Sequence, residues 1–227
     1  MAATDSGVSV AVQDYAKAIY ALHDRSDRRV STSAIADRLG VSPASASAMV
    51  KRLESLGLAN HEPYHGVVLT QAGERVALEV IRHHRLLELY LAEALGMPWD
   101  RVHEEAEVLE HAISPELSAL IAEKLGNPTH DPHGDPIPTS TGEIEQGKSQ
   151  ALGELPPGAK AVFVRVSDSD PAMLRFLSER GIAPGDHLEV LERHPFDGPL
   201  IVRFASGDHA LGGGLVRMMR VRPVSID

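Results

Sequence analysis

The chain of 227 residues is long enough for two or three small domains, and its 43% hydrophobic content can supply each with a core. It contains no cysteine, which excludes disulfides, thiolate zinc sites and thiol nucleophiles together, and no run approaches the ~18 apolar residues of a transmembrane helix. The net charge of −10 is localised: basic and acidic residues number 8 and 8 over residues 1–78, 4 and 14 over 79–146, and 10 and 10 over 147–227.

The acidic middle segment also holds six of the twelve histidines. Carboxylates gathered with imidazoles suit cations as partners, and a solvated acidic surface is the alternative. At the N-terminus, MAATDSGVSVAVQDY carries acids and lacks the basic flank and apolar core of a secretory leader. A soluble, cytoplasmic protein with no membrane role is expected.

Residues 30–58, VSTSAIADRLGVSPASASAMVKRLESLGL, hold two helical patterns around a short break. The first places Ile35, Ala36 and Leu39 on one face, with Ser31 or Thr32 as its cap. Gly40 and Val41 form the turn. The second opens with Ser42 at the N-cap and Pro43 at the first helical position, and buries Ala46, Met49, Val50 and Leu53. Gly57 stops it. Such a pair forms a helix-turn-helix, whose second helix can enter the major groove of double-stranded DNA. Ser42, Pro43, Ala44, Ser45 and Ser47 would then lie toward the bases, the small side chains allowing close approach, while Lys51 and Arg52 reach phosphates. LANHEPYHGVVLT, two β-prone runs about a Pro/Gly turn, reads as a wing. A helical hairpin without a nucleic-acid role is the alternative. With no net charge, this segment has a weak electrostatic footprint, so its affinity for DNA depends on neutralising the acidic middle.

Thr70 caps a long helix to about Leu95, on which His84 and Glu88 share a face. After a break at 96–100 comes VHEEAEVLEHAI, residues 102–113, read as one helix. Val102, Ala106, Leu109 and Ile113 make its apolar stripe, and beside it run His103, Glu107, Glu110 and His111. Burying two carboxylates and two imidazoles without partners is costly, and a divalent cation would offset that cost. Oxygen with imidazole nitrogen suits borderline-to-hard first-row cations. Glu107, Glu110 and His111 would supply three ligands from one rigid helix and need a fourth from elsewhere. A half-exposed face salt-bridged to Arg82 or Arg85 remains the alternative. A further helix is expected around Glu116–Leu125. The loop NPTHDPHGDPIP, residues 127–138, then holds Asp131 and His133. GxSxG and GxGxxG stretches are absent, and nothing argues for catalysis.

Taken in order, the winged helix, the linking helix, RHHRLLELYLAEALGMPWDRVHEEAEVLEHAIS and NPTHDPHGDPIP resemble the DtxR family of metal-dependent transcriptional repressors, in its manganese-responsive, MntR-like branch. WDxVHxEAExLEH followed by DPHGxPIP is the specific part. GIAPGDHLEV and LIVRFASGDHALG resemble, less specifically, the family's optional FeoA-type third domain.

The resemblance implies an α+β protein: a winged helix-turn-helix over 1–78, a helical metal-binding and dimerisation domain over 79–146, a linker over 147–157, and a small SH3-like β-barrel over 158–227. It implies a non-enzymatic homodimer that binds operator DNA, takes Mn(II) with Fe(II) or other divalent first-row metals as alternatives, and needs no organic cofactor. It supplies the missing ligand from QDYAKAIY, making a primary site of Asp14, Glu107, Glu110 and His111. Iron-responsive members usually have Met and Cys at the positions of Asp14 and Glu107, so oxygen at both is similar to the manganese branch. A second site is implied at His84, Glu88 and His103, with Asp131, His133 and Asp168 as further ligands. Some two-domain members carry a carboxylate three residues after Asp14. Here that residue is Lys17, which favours one ion in the primary site. An iron-dependent repressor, a metallohydrolase and a MarR-like sensor of an organic ligand are the other readings.

Overall fold

The computed structural model describes residues 8–26, 29–145, 147–196 and 198–224. Residues 1–7, part of the stretch read above for a leader, lie outside them. The chain divides into two compact units. One comprises Met1–His84, Glu107–Ile121 and Pro138–Ile144, the other Arg85–Ala106, Ala122–Ile137 and Glu145–Asp227.

The first unit begins with helix α1 (Val10–Ser26), followed by α2 (Thr32–Leu39) and α3 (Pro43–Ser55). Ser31 Oγ accepts the Ala34 N–H, Ser42 Oγ accepts the Ser45 N–H, and Gly40 takes the left-handed conformation that ends α2. The buried face of α3 is Ala46, Val50 and Leu53; Met49, expected with them, is only partly covered. These residues pack with Tyr15, Ile19, Ile35 and Val67 into one core. Strands β1 (Ala59–Glu62) and β2 (Gly66–Leu69) form the antiparallel wing. Gly66, at φ 103°, passes so close to the Val30 carbonyl that a Cβ would lie 2.7 Å from its oxygen. That contact fixes the wing's root.

Thr70 caps α4 (Gln71–Leu95) through the Gly73 N–H. Helix α5 (Val102–Leu109) and α6 (Pro115–Lys124) follow. The single helix expected over 102–113 is therefore corrected: α5 ends at Leu109, and Glu110 and His111 lie in a turn closed by the Ala112 N–H to the Leu109 carbonyl. Pro115 opens α6 and holds Ser114 out of the helical region, where Ser114 caps the Leu117 N–H, so α5 and α6 cannot join into one helix. The apolar stripe shortens accordingly. Val102, Ala106 and Ile113 are buried, Leu109 is 37% exposed, and Glu110 is only 1% exposed.

In the second unit, six antiparallel strands pair in the order β3-β8-β4-β5-β6-β7. They are β3 (Gln150–Ala151), β4 (Lys160–Val166), β5 (His187–Arg193), β6 (Leu200–Phe204), β7 (Gly207–Leu211) and β8 (Met219–Pro223), with helices α7 (Pro171–Ser178) and α8 (Gly213–Met218). Phe163, Leu174, Leu177, Val202, Leu211 and Met219 fill the core. Strand β3 and the buried Leu152 and Leu155 fall in the stretch read above as a linker. Mixed helix and sheet, with a winged helix and a small antiparallel sheet, agrees with the α+β expectation. No helix among the described residues is long and apolar enough to cross a membrane.

Candidate metal centre

Helix α1 buries Val12, Tyr15, Ala16 and Ile19 and turns Asp14 and Lys17 to its other side. There Asp14 meets the turn after α5. His111 Nε2 lies 2.8 Å from Asp14 Oδ1 and 3.3 Å from Glu110 Oε1, and donor atoms of the three residues lie within 4.8 Å of one another. His111 Nδ1 faces Gln13 Oε1 at 2.6 Å. The Asp14 hydrogen bond lifts the ring above the usual histidine range, against burial. Gln13 is a positioning residue that sequence reasoning missed, as is His83, whose Nδ1 lies 3.2 Å from the Glu110 carbonyl. Burial holds His83 below the usual histidine range, so the neutral ring can donate there. No periodicity marks either residue.

Glu107, expected beside Asp14, is instead gathered with His84 and Glu110. Donor atoms of this second trio also lie within 4.8 Å, and His84 Nδ1 is 2.5 Å from Glu110 Oε2. Lys17 sits among them, its Nζ 2.7 Å from Glu107 Oε1 and 2.7 and 2.9 Å from the Glu110 oxygens. The arginines considered from the sequence go elsewhere. Arg82 donates to the Pro138 carbonyl at 2.6 Å, and Arg85 lies 3.3 Å from Asp135.

In the second unit, Glu88 is 1% exposed. His103 Nδ1 lies 3.2 Å from Glu88 Oε1 and 3.0 Å from Asp168 Oδ2, in the loop after β4. Hydrogen bonds to Asp168 and Glu88 push the His103 ring up to about 10. Burial alone would raise Asp168, but the His103 hydrogen bond and charge pull it below its ordinary value. On the other side of Glu88, donor atoms of Glu88, Asp131 and His133 lie within 4.8 Å of one another. Asp131 shapes its own loop by accepting the His133 and Asp135 N–H groups at 2.9 Å each, and Gly134 packs where a Cβ would run into the Val164 carbonyl. Burial, then Glu88 and Asp135, push the Asp131 carboxyl well above the usual range.

The donor chemistry fits a cation. His133 Nε2 is 2.8 Å from the Trp99 carbonyl, which can only accept, so that nitrogen carries the proton. A neutral ring then holds its lone pair on Nδ1, a buried atom without a hydrogen-bond partner, 3.9 Å from Glu88 Oε2. A buried nitrogen lone pair beside two buried carboxylates is a ligand set that a divalent ion would satisfy.

Ser42, Pro43, Ala44, Ser45, Ser47, Lys51 and Arg52 are all exposed along α3. Ser42 and Ser45 join hydroxyls at 2.9 Å, and Ser47 donates to the Pro43 carbonyl at 2.8 Å. The presented surface is therefore flat and small, with its two cations toward the C-terminal end.

Two stretches match enzyme patterns by letter without the local structure those patterns need. HEPYH, residues 61–65, fits HExxH, yet it crosses the wing hairpin, so its histidines share no helix face. GEIEQGKS, residues 142–149, fits a phosphate-loop pattern, yet among the described residues it leads into β3 and opens no helix.

A winged helix whose first helix shares a carboxylate–imidazole cluster with the turn after α5 defines a class, the metal-dependent DNA-binding regulators. The matches are specific. Residues 8–67 match the iron dependent repressor N-terminal DNA binding domain, 70–139 the iron dependent repressor metal binding and dimerisation domain, and 150–223 the FeoA domain. The chain is 34% identical over 183 residues to the iron-dependent repressor IdeR of Mycobacterium tuberculosis, spanning 74% of this chain and 78% of that protein. Among solved structures, it is similar to a manganese-dependent transcriptional repressor in complex with manganese (41% identity, TM-score 0.88, 94% of this chain and 100% of that one). It is also similar to the manganese regulator SloR (29% identity, TM-score 0.73, 94% and 98%). The chain belongs to the iron-dependent repressor, or DtxR, family: it is a metal-dependent transcriptional repressor and not an enzyme.

Proposed function

We propose that the protein is a manganese(II)-dependent repressor that acts in the cytoplasm as a homodimer on double-stranded operator DNA. The observation that carries this reading is the donor set. Asp14, Glu110 and His111 converge within 4.8 Å, Glu107 adjoins them through Glu110, and the chain has no cysteine. Carboxylate oxygen and imidazole favour harder first-row cations over those that prefer sulfur. The two solved relatives named for manganese support the same choice.

Asp14, Glu107, Glu110 and His111 form the primary site. The second lies around Glu88, with His103 and Asp168 on one side and Asp131 and His133 on the other. A bound cation supplies the charge that ties Asp14 of the DNA-binding helices to the turn after α5, ordering the winged helices. Only the neutral His111 ring ligates, so a cation competes with a proton there. Val108, Leu117 and Leu120, apolar and exposed on α5 and α6, suit a dimer face. A twofold dimer would set its recognition helices about one DNA turn apart, roughly 34 Å.

A mobility-shift titration with Mn(II) tests this. Asp14→Ala should leave the dimer intact and abolish metal-dependent operator binding; equal binding by the wild type with and without Mn(II) would sink the proposal. Iron(II) is the second reading, favoured by the name of the Mycobacterium tuberculosis relative. Anaerobic titration of both metals separates them by which one drives operator binding at the lower free concentration.

A further inference from the structure

A cavity of about 310 Å³ opens in the first unit between the N-terminal half of α4, the start of α6 and the 139–142 turn. None of its lining residues belongs to the carboxylate–imidazole clusters. Its volume lies at the low end for small-ligand pockets. Two of the side chains that line it are more than nine-tenths buried and still have a polar atom to spare. His83, 8% exposed, donates from Nδ1 to the Glu110 carbonyl at 3.2 Å, so the neutral ring keeps Nε2 as an acceptor. That nitrogen has no partner among the described residues. The hydroxyl of Ser118, 3% exposed, has none among them either.

Charge biases the same space. Arg75 and Arg82 stand seven residues apart on α4, hence on one face. Arg82 gives one nitrogen to the Pro138 carbonyl, and among the described residues neither arginine forms an ion pair, not even with Glu79, the carboxylate of the lining. Two guanidiniums against one carboxylate leave the cavity positive. Its occupant must therefore bring negative oxygens for the arginines and Ser118, and a hydrogen-bond donor for His83. We propose that the cavity binds a small phosphate that also carries a hydroxyl, either hydrogen phosphate or the phosphate of a small polyol. Sulfate has the charge but no hydroxyl, and neither has a phosphodiester of the DNA backbone.

The ring that receives this hydroxyl is the one that holds the Glu110 carbonyl. A seated occupant fixes the ring, and through it the turn after α5, in place for a cation. The occupant therefore lowers the Mn(II) level needed for operator binding, and Mn(II) tightens the occupant by the same factor. This coupling, unlike the pocket, rests on the reading of Glu110 as a metal ligand.

Isothermal titration calorimetry of the full-length protein, stripped of metal, tests the pocket with glycerol 3-phosphate, inorganic phosphate and sulfate as probes. At least one phosphate should bind saturably, and sulfate at least about fivefold more weakly, the scale of one buried acceptor left unsatisfied. Inorganic phosphate binding as tightly as the ester assigns the site to free phosphate, and weaker binding assigns it to the polyol phosphate. Arg82→Gln should weaken binding at least about tenfold, the loss of a charge-assisted bond. No saturable heat with either phosphate, or sulfate bound as tightly, overturns the proposal. So does a Ser118→Val variant, its methyls filling the cavity, that binds as the wild type does, and this arm holds even if Arg82→Gln does not fold. Because no metal is present, these results stand whether or not the manganese reading does. In a mobility-shift titration, glycerol 3-phosphate should lower the wild-type Mn(II) midpoint at least about fivefold and leave that of Arg82→Gln in place. An equal shift in both, the mark of an effect on Mn(II) in solution, overturns the coupling.

Discussion

Lys17 makes two ion pairs of equal length and unequal burial, which lets one comparison isolate what burial does. Its Nζ is 2.7 Å from Glu107 and 2.7 Å from Glu110, but the Glu107 side chain is 46% exposed and that of Glu110 is 0% exposed. Water screens the first pair, and exposed pairs contribute about 0–1 kcal/mol. Removing one partner of a buried pair strands the other, at about 3–5 kcal/mol. Here Glu110→Gln would leave Lys17, His84 and His111 facing a neutral amide. In the metal-free protein it should therefore cost about 3–5 kcal/mol, whereas Glu107→Gln should cost under about 1 kcal/mol. At about 2–4 °C per kcal/mol for a chain of this size, the melting temperature should fall by roughly 6–20 °C for the first and under about 4 °C for the second. Circular dichroism melts in excess chelator measure both. Equal losses would refute the reasoning, because distance rather than desolvation would then be in control.

Other outcomes follow from the same geometry. His103 is raised from 6.5 to about 10, so its protonated form stabilises the metal-free fold fully below about pH 6.5, and this is lost as pH rises through about 10. The melting-temperature gap between wild type and His103→Gln should narrow from pH 6.5 toward pH 10; a widening gap contradicts the assignment. Leu120→Asp, on the exposed apolar face of α6, should shift the protein from dimer to monomer in analytical ultracentrifugation without altering the metal-free far-ultraviolet spectrum. Lys51→Ala and Arg52→Ala should each lower the salt dependence of operator affinity by about 0.9 in log–log slope, and a binding isotherm with unchanged slope would place them off the phosphates.

The helix-turn-helix was legible because local chemistry defines it: Ser42–Pro43 starts α3, Gly40 ends α2, and Ala46, Val50 and Leu53 recur at helical spacing. The acid–imidazole stripe was visible for the same reason. What spacing could not reveal were contacts closed by the fold across long stretches of chain. Gln13 meets His111 across 98 residues, Lys17 meets Glu110 across 93, and the Trp99 carbonyl sets the His133 proton across 34. The partition of the stripe was also hidden. Glu107 and Glu110 look equivalent in sequence, and only the end of α5 at Leu109 turns one toward solvent and buries the other. Pro115 carried a signal for a break at Ser114, and the apolar pattern through Ile113 masked the earlier end at Leu109.

The early end of α5 also bears on where the centre can adjust. Glu110 and His111 stand on a turn bounded by the last residue of α5 and by Pro115, so their torsion angles can change without breaking a helical hydrogen-bond ladder. The adjustable part of the centre is thus a few residues long, hung between two rigid rods. A cell that reads its metal level through this protein would be reading the pose of one short hinge.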